Sequence, residues 1–272
     1  MEHILELAKA RRSVRSFDEH PLREEHRAAL TAFWQTLDNP WGIPVVFRFL
    51  DAKAEKLSAP VITGTDCYLG GKVARVPHAE ETFGYTMEAL LLFARSLGIG
   101  STWIGGTMDR AAFERAMELG PDEFMPCVTP LGYPAAKMSL RETMMRKAVR
   151  ADSREPFEAL FFNGDFDTPL SAEKAGSLRE PLECVRLAPS AVNRQPWRVL
   201  VGADSVHFYK KGSKGYISAA TGDLQKVDLV IALCHFDLSA RECGLSPRLV
   251  VSDPPLPCPE GLEYIASFEL NK

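Results

Sequence analysis

Apolar residues in "ILELAKARR" (4–12) and "REEHRAALTAFWQTLD" (23–38) recur at helical spacing, and "PVVFRFLD" (44–51) reads as a strand. A polar connection follows. Then "EETFGYTMEALLLFARSLG" (80–98), apolar along most of its length, predicts a central helix with Gly98 as its C-terminal cap. "CVTPLGYP" (127–134) predicts a buried strand ending in a turn, "SLRETMMRKAVR" (139–150) a basic helix, and "NGDFDTP" (163–169) a loop between two halves. The second half repeats the order. It predicts a helix near 170–187, a polar turn, strands across 197–210, a long helix over 223–243, and strands near 247–252 and 263–269.

A duplicated unit should place matching features at a near-constant offset. "FARSLGI" (93–99) resembles "SARECGL" (239–245), which sets Gly98 against Gly244. "GIPVVFRFL" (42–50) aligns with "NRQPWRVLV" (193–201), which sets Gly42 against Asn193 and Pro44 against Gln195. The two offsets nearly agree. The expectation is an α+β chain with a first half over 1–150 and a second over 151–272, the alternative being two unrelated segments of similar order.

A 272-residue chain with 46% hydrophobic and 25% charged residues has the composition of a globular protein with a substantial core. The net charge of −4 gives no global basic field, so nucleic acid is not an expected partner, although a local anion site needs only a few arginines. Six scattered cysteines without a C-x-x-C pair argue against a zinc site and a secreted disulfide framework, and no metal is expected. Cys127 and Cys234 read as packed small hydrophobes, and His235 as a satisfied core histidine. Trp34, Trp41 and Tyr133 read as core or interface aromatics. With no signal-like start and no apolar run of about 18 residues, the expected location is the cytoplasm, away from the membrane.

Three segments carry candidate chemistry. "ARRSVRSFD" (10–18) gathers Arg11, Arg12 and Arg15 around Ser13; the guanidinium groups suit an anion such as phosphate, or form a solvated patch paired with glutamates. "LGIGSTWIGGT" (97–107) follows the central helix, and its Gly105 and Gly106 would let main chain approach a flat ligand. It matches neither the dinucleotide fingerprint nor the P-loop. "APSAVNRQPWR" (188–198) sets Ser190, Asn193 and Gln195 between Pro189 and Pro196, either a ligand loop or a capping turn between helix and strand.

Together these segments resemble the FMN-dependent nitroreductase family, with its NADH oxidase and flavin reductase-like fold, in a fused tandem-repeat form. The R-R-S-x-R-x-F start is present as Arg11, Arg12, Ser13, Arg15 and Phe17. The P-S-x-x-N-x-Q-P-W signature is present as Pro189, Ser190, Asn193, Gln195, Pro196 and Trp197. The W-I-G-G turn (Trp103, Ile104, Gly105, Gly106), "LGYPAAK" (131–137) and the basic Arg146 and Lys147 are also similar to that family. Usual members carry the second signature soon after the first, whereas here about 180 residues separate them.

The resemblance implies a nitroreductase-like α+β fold with a central mixed or antiparallel sheet flanked by helices, in two pseudo-symmetric halves. It implies a fused pseudo-dimer that is monomeric in solution, with one FMN between the halves. Arg11, Arg12, Ser13, Arg15, Trp103, Ile104, Gly105, Gly106, Arg146, Lys147, Pro189, Ser190, Asn193 and Gln195 would bind it. The counterpart site would be lost, since "VRADSREPF" (149–157) is a faint echo of the arginine start and Gly42 stands where the asparagine would be. NADH or NADPH would reduce the flavin, which would pass hydride to a nitroaromatic, quinone or similar small-molecule acceptor in a ping-pong cycle. No side chain is assigned as a catalytic acid or base. A non-catalytic FMN-binding or degenerate nitroreductase-fold protein is the alternative.

Overall fold

A computed structural model describes residues 1–271. In chain order it contains α1 (Ile4–Ala10), α2 (Glu24–Gln35), β1 (Val46–Asp51), β2 (Cys67–Ala74), α3 (Ala79–Ser96), β3 (Gly100–Ser101), α4 (Arg110–Ala116), β4 (Glu123–Phe124), β5 (Val128–Gly132) and α5 (Leu140–Ala148). There follow α6 (Phe157–Leu160), β6 (Phe161–Asn163), α7 (Arg179–Leu187), β7 (Trp197–Val201), β8 (Ser205–Lys211), β9 (Ile217–Ser218), β10 (Gly222–Asp223), α8 (Leu224–Glu242), β11 (Ser246–Val250) and β12 (Leu262–Asn271). The chain forms two compact units: one holds Arg11–Ala151 with Ile217–Leu224, the other Met1–Ala10, Asp152–Tyr216 and Gln225–Lys272. No helix among the described residues is long and apolar enough to cross a membrane.

In the Arg11–Ala151 unit an antiparallel sheet runs in the order β1-β2-β5-β3, with β4 also paired to β2. The expected polar connection before the central helix is corrected here, because β2 is the buried middle strand of this sheet. Gly70 and Gly71 hid it, since adjacent glycines weaken a strand pattern. They are there for clearance: a Cβ on Gly71 would lie 2.9 Å from the rings of Phe47 and Phe83, and one on Gly70 would collide with Met117. α3 is buried over most of its 18 residues, and Phe33 of α2 stacks on its Phe93.

The other unit has the order β11-β12-β8-β7-β6, antiparallel except for the β6–β7 pair. α8 is likewise buried along most of its 19 residues, and its Phe236 packs against Phe208 of β8 and Phe268 of β12. α1 closes the unit. Its Ile4 and Ala8 pack on Cys184 of α7, and the Glu242 carboxylate at the end of α8 accepts from the main-chain N–H groups of His3 and Ile4. That carboxylate satisfies donors a helix start leaves unpaired. His235 is fully buried with Nδ1 3.1 Å from the Cys184 carbonyl oxygen, a satisfied core histidine.

Candidate functional site

The arginine segment is an extended strip tied on both sides. Ser13 bridges Ser101 of β3 in parallel, Val14 N–H donates to the Ser101 carbonyl at 2.9 Å, and Thr63 N–H donates to the Arg15 carbonyl at 2.9 Å. Farther on, Phe17 N–H donates to Thr63 and Asp18 N–H to Tyr133. Alternation along the strip turns Val14 inward, where it fills the space a Cβ on Gly100 would need. Phe17 is buried as the anchor, and Gly64 (φ +82°) packs its Cα against the Phe17 carbonyl. The backbone bearing the arginines is therefore fixed.

Beside this strip lies the start of α5. Ser139 N–H donates to Ser16 Oγ at 3.0 Å, and Ser139 Oγ accepts from Glu142 N–H at 3.1 Å, capping the helix. In an ordinary capping box the Glu142 side chain would return to the Ser139 N–H. Here Ser16 has taken that donor. Glu142 Oε1 instead accepts from Arg12 Nη1 at 3.0 Å, with its side chain 0% exposed while that of Arg12 is 34% exposed. Burial pushes the Arg15 guanidinium below its ordinary range; Glu142 acts against that shift, and the positive charge of Arg146 adds to it. Arg146 is half-buried and Lys147 exposed in the last turn of α5. Sequence-predicted Arg12, Arg15 and Arg146 are thus brought together around a buried carboxylate that the sequence reading missed; the S-x-x-E spacing at 139–142 was its only signal.

The glycine turn continues from β3, the strand that pairs with Ser13. Ile104 exchanges both main-chain hydrogen bonds with Val128 at 2.9 Å and is buried in the core, so its own N–H and carbonyl are committed. Trp103 is half-buried; its indole N–H donates to Glu88 Oε2 of α3 at 2.9 Å, and its ring meets Phe83 edge-on. Arg110 holds the turn by donating to the carbonyls of Gly105 (2.6 Å), Met125 (2.7 Å) and Pro126 (3.2 Å). A Cβ on Gly106 would meet nothing within 4 Å, whereas one on Gly105 would lie 3.2 Å from Cys127 Sγ. Space for a ligand is therefore at Gly106.

The Pro189–Gln195 loop belongs to the other unit, and its side chains are engaged there. Asn193 donates from Nδ2 to the Ser153 carbonyl at 3.0 Å, Gln195 Oε1 accepts from Glu155 N–H at 3.0 Å, and Ser190 Oγ accepts from Gln195 N–H at 2.8 Å. Ala191 N–H donates to both carboxylate oxygens of Asp228 on α8 at 3.0 Å. Val192 (φ +45°), Asn193 (+58°) and Gln195 (+48°) all lie in the left-handed region. For β-branched Val192, which is 55% exposed, that conformation is a true outlier held by the bonds around it.

A cavity of about 720 Å³ lies elsewhere in the Arg11–Ala151 unit, lined by Arg27, Asp51, Lys53, Asp66 and Cys67 among others, and by none of the sequence-predicted site residues. Arg27 Nη2 donates to Cys67 Sγ at 3.2 Å, and burial pushes that thiol up to about 11. Among the described residues no group of three or more His, Cys, Asp or Glu could hold a metal ion.

A family model described as "Putative TM nitroreductase" matches residues 3–240. The crystal structure of a protein titled "putative nitroreductase" from Thermotoga maritima is similar to this chain with a TM-score of 0.65 at 21% identity, covering 99% of this chain and 94% of that one. At that identity the likeness speaks for the fold. An NADH dehydrogenase/NAD(P)H nitroreductase-titled protein from Bacteroides thetaiotaomicron (TM-score 0.44, 18% identity) covers 51% of this chain and 90% of its own. An FMN-dependent nitroreductase from Clostridium difficile R20291 (TM-score 0.43, 14% identity) covers 49% and 88%. No curated protein sequence matches the chain.

Proposed function

The chain belongs to this nitroreductase family, and on that premise we propose that it is an FMN-dependent NAD(P)H oxidoreductase reducing a nitroaromatic, quinone or similar conjugated acceptor in a ping-pong cycle. The observation that carries the reading is the cluster of Arg12, Arg15 and Arg146 around one buried carboxylate, set on the sheet edge that leads into the Trp103–Gly106 turn. This donor set fits a phosphate monoester: Arg12 and Arg15 carry planar guanidinium forks on one fixed strip, and Arg15 is already desolvated.

Arg11, Arg12, Ser13, Arg15, Arg146 and Lys147 would hold the FMN phosphate, while Trp103, Ile104, Gly105 and Gly106 would border its ring system. Of these, Gly106 offers close approach, Trp103 is held by Glu88, and Ile104 acts through its packing. The resemblance adds Pro189, Ser190, Asn193 and Gln195 to the ring-binding set. FMN, when bound, supplies the hydride acceptance and donation. The chain's own residues would neutralise the phosphate and set main-chain donors where the reduced ring gains negative charge. No side chain is assigned a proton transfer.

A second reading, FMN binding without turnover, is favoured by one observation. The Asn193 and Gln195 side chains already have partners at Ser153 and Glu155. The two readings separate in one experiment: absorbance of the purified chain with flavin released and counted, before and after anaerobic NADH or NADPH, and then after a quinone. The expected result is about one FMN per monomeric chain, bleached by one nicotinamide and restored by the acceptor. A yellow protein that does not bleach supports the second reading. A chain that takes up no flavin from excess FMN refutes both.

A further inference from the structure

Glu142 sits where neither the fold nor the arginine motif accounts for it. It occupies the third position of α5, its side chain is fully buried, and one oxygen bonds Arg12 while Oε2 has no hydrogen-bond partner. A buried carboxylate is costly unless it is held by charge. Its neighbours are cations. Arg12 bonds it directly, Arg15 feels its charge, and Arg146 lies one turn along the same helix.

The exposures give this contact a direction. The Glu142 side chain is 0% exposed and that of Arg12 34% exposed, so the carboxylate is the inner partner and Arg12 the one that reaches solvent. The Glu142 bond uses Nη1, and a guanidinium carries five N–H donors in a rigid fork. One edge can therefore stay on Glu142 while another takes an anion. Glu142 is itself fixed, because its N–H is capped by Ser139, whose own N–H is tied to Ser16 of the arginine strip. The strip and the helix are thus pinned together at Ser16–Ser139 and at Arg12–Glu142.

Resting on the FMN reading, we propose that Glu142 is the positioning residue of the phosphate site: it holds Arg12 from behind so that the free edge of the guanidinium meets a phosphate monoester. An untethered Arg12 would have to lose its side-chain freedom on each binding event. Holding it in advance removes that loss.

The test is a double-mutant cycle with Arg12→Ala and Glu142→Ala, read as FMN and riboflavin affinity by flavin fluorescence quenching, with folding followed by urea midpoint. Arg12→Ala alone is expected to weaken FMN about tenfold or more, and in the Glu142→Ala background by less than about threefold. Riboflavin, which lacks the phosphate, should bind alike in all four proteins. A purely structural Glu142 would lower the urea midpoint and leave the Arg12 effect the same in both backgrounds, and that outcome overturns the proposal while the flavin reading stands.

Arg12→Lys gives an independent arm should Glu142→Ala fail to fold. Lysine keeps the charge but lacks the rigid planar fork that presents one edge to Glu142 and another to the phosphate, so about tenfold weaker FMN binding is expected. Native-like FMN affinity in Arg12→Lys overturns the role. If the native protein binds neither FMN nor riboflavin, the flavin reading fails and the proposal with it.

Discussion

His207 shows how one side chain ties local chemistry to stability. Its Nε2 lies 2.9 Å from Ser205 Oγ and its Nδ1 2.7 Å from Ser267 Oγ, which in turn lies 2.8 Å from the Tyr264 hydroxyl. Burial lowers its pKa below 6.5, with Asp253 acting weakly in the other direction. The folded protein therefore resists a proton that the unfolded chain accepts. This contribution is intact above about pH 6.5 and is lost as pH falls below it. Urea midpoints from about pH 7.5 to 5.5 should fall more steeply for the native protein than for His207→Gln, and parallel slopes would show that this titration is not coupled to folding. Gly64→Ala tests the anchor of the arginine strip: left-handed φ and a collision with the Phe17 carbonyl combine, so a loss of about 3 kcal/mol is expected in urea titration. The arginines were legible as a motif because their chemistry is in the side chain itself. Glu142 was not, because what makes it matter is burial against residue 12, from 130 positions away.

At the scale of elements, the two long helices end alike. Gly98 (φ +78°) and Gly244 (φ +80°) donate to Arg95 and Arg241, and the next residues, Ile99 and Leu245, donate to Ala94 and Ala240. This is the Schellman closure, with glycine at its left-handed position. A Cβ at either glycine meets nothing within 4 Å, so Gly98→Ala and Gly244→Ala should each cost only the conformational term, about 1 kcal/mol by thermal or urea unfolding. A much larger loss at either would mean that the cap fixes more than its own helix. The aligned turns before β1 and β7 also share local geometry: Gly42 (φ +64°) donates to Asn39, and Asn193 (φ +58°) to Ser190. Where glycine sits in the first turn, the second holds an asparagine whose side chain bonds Ser153. Helices and caps were readable because apolar spacing and terminal glycines are local signals. β2 escaped because its glycines answer to Met117, Phe47 and Phe83, none of them a neighbour in sequence.

At the scale of the molecule, neither compact unit is a continuous stretch of chain. The Arg11–Ala151 unit includes Ile217–Leu224, where Asp223 N–H donates to Glu80 Oε1 at 3.2 Å and Leu224 approaches Gly105. The other unit includes Met1–Ala10, whose Ile4 is fully buried. Each half of the sequence expressed alone therefore lacks a segment of one unit. Fragments 1–150 and 151–272 made separately should unfold without cooperativity and bind a hydrophobic dye, and recover a sharp transition on co-expression. Cooperative unfolding of either fragment by itself would show that the exchanged segments are dispensable to it.

The sequence by itself determined the α+β class, the long glycine-closed central helices and the arginine, glycine-turn and P-S-x-x-N-x-Q-P-W motifs, because each is written in periodicity or side-chain chemistry over a few adjacent residues. Tertiary structure decided the rest. It placed the paired middle strand β2, committed Asn193 and Gln195 to Ser153 and Glu155, and buried Glu142 behind Arg12. These depend on which distant groups meet once water is excluded, and burial and long-range pairing are properties that no short window of sequence contains.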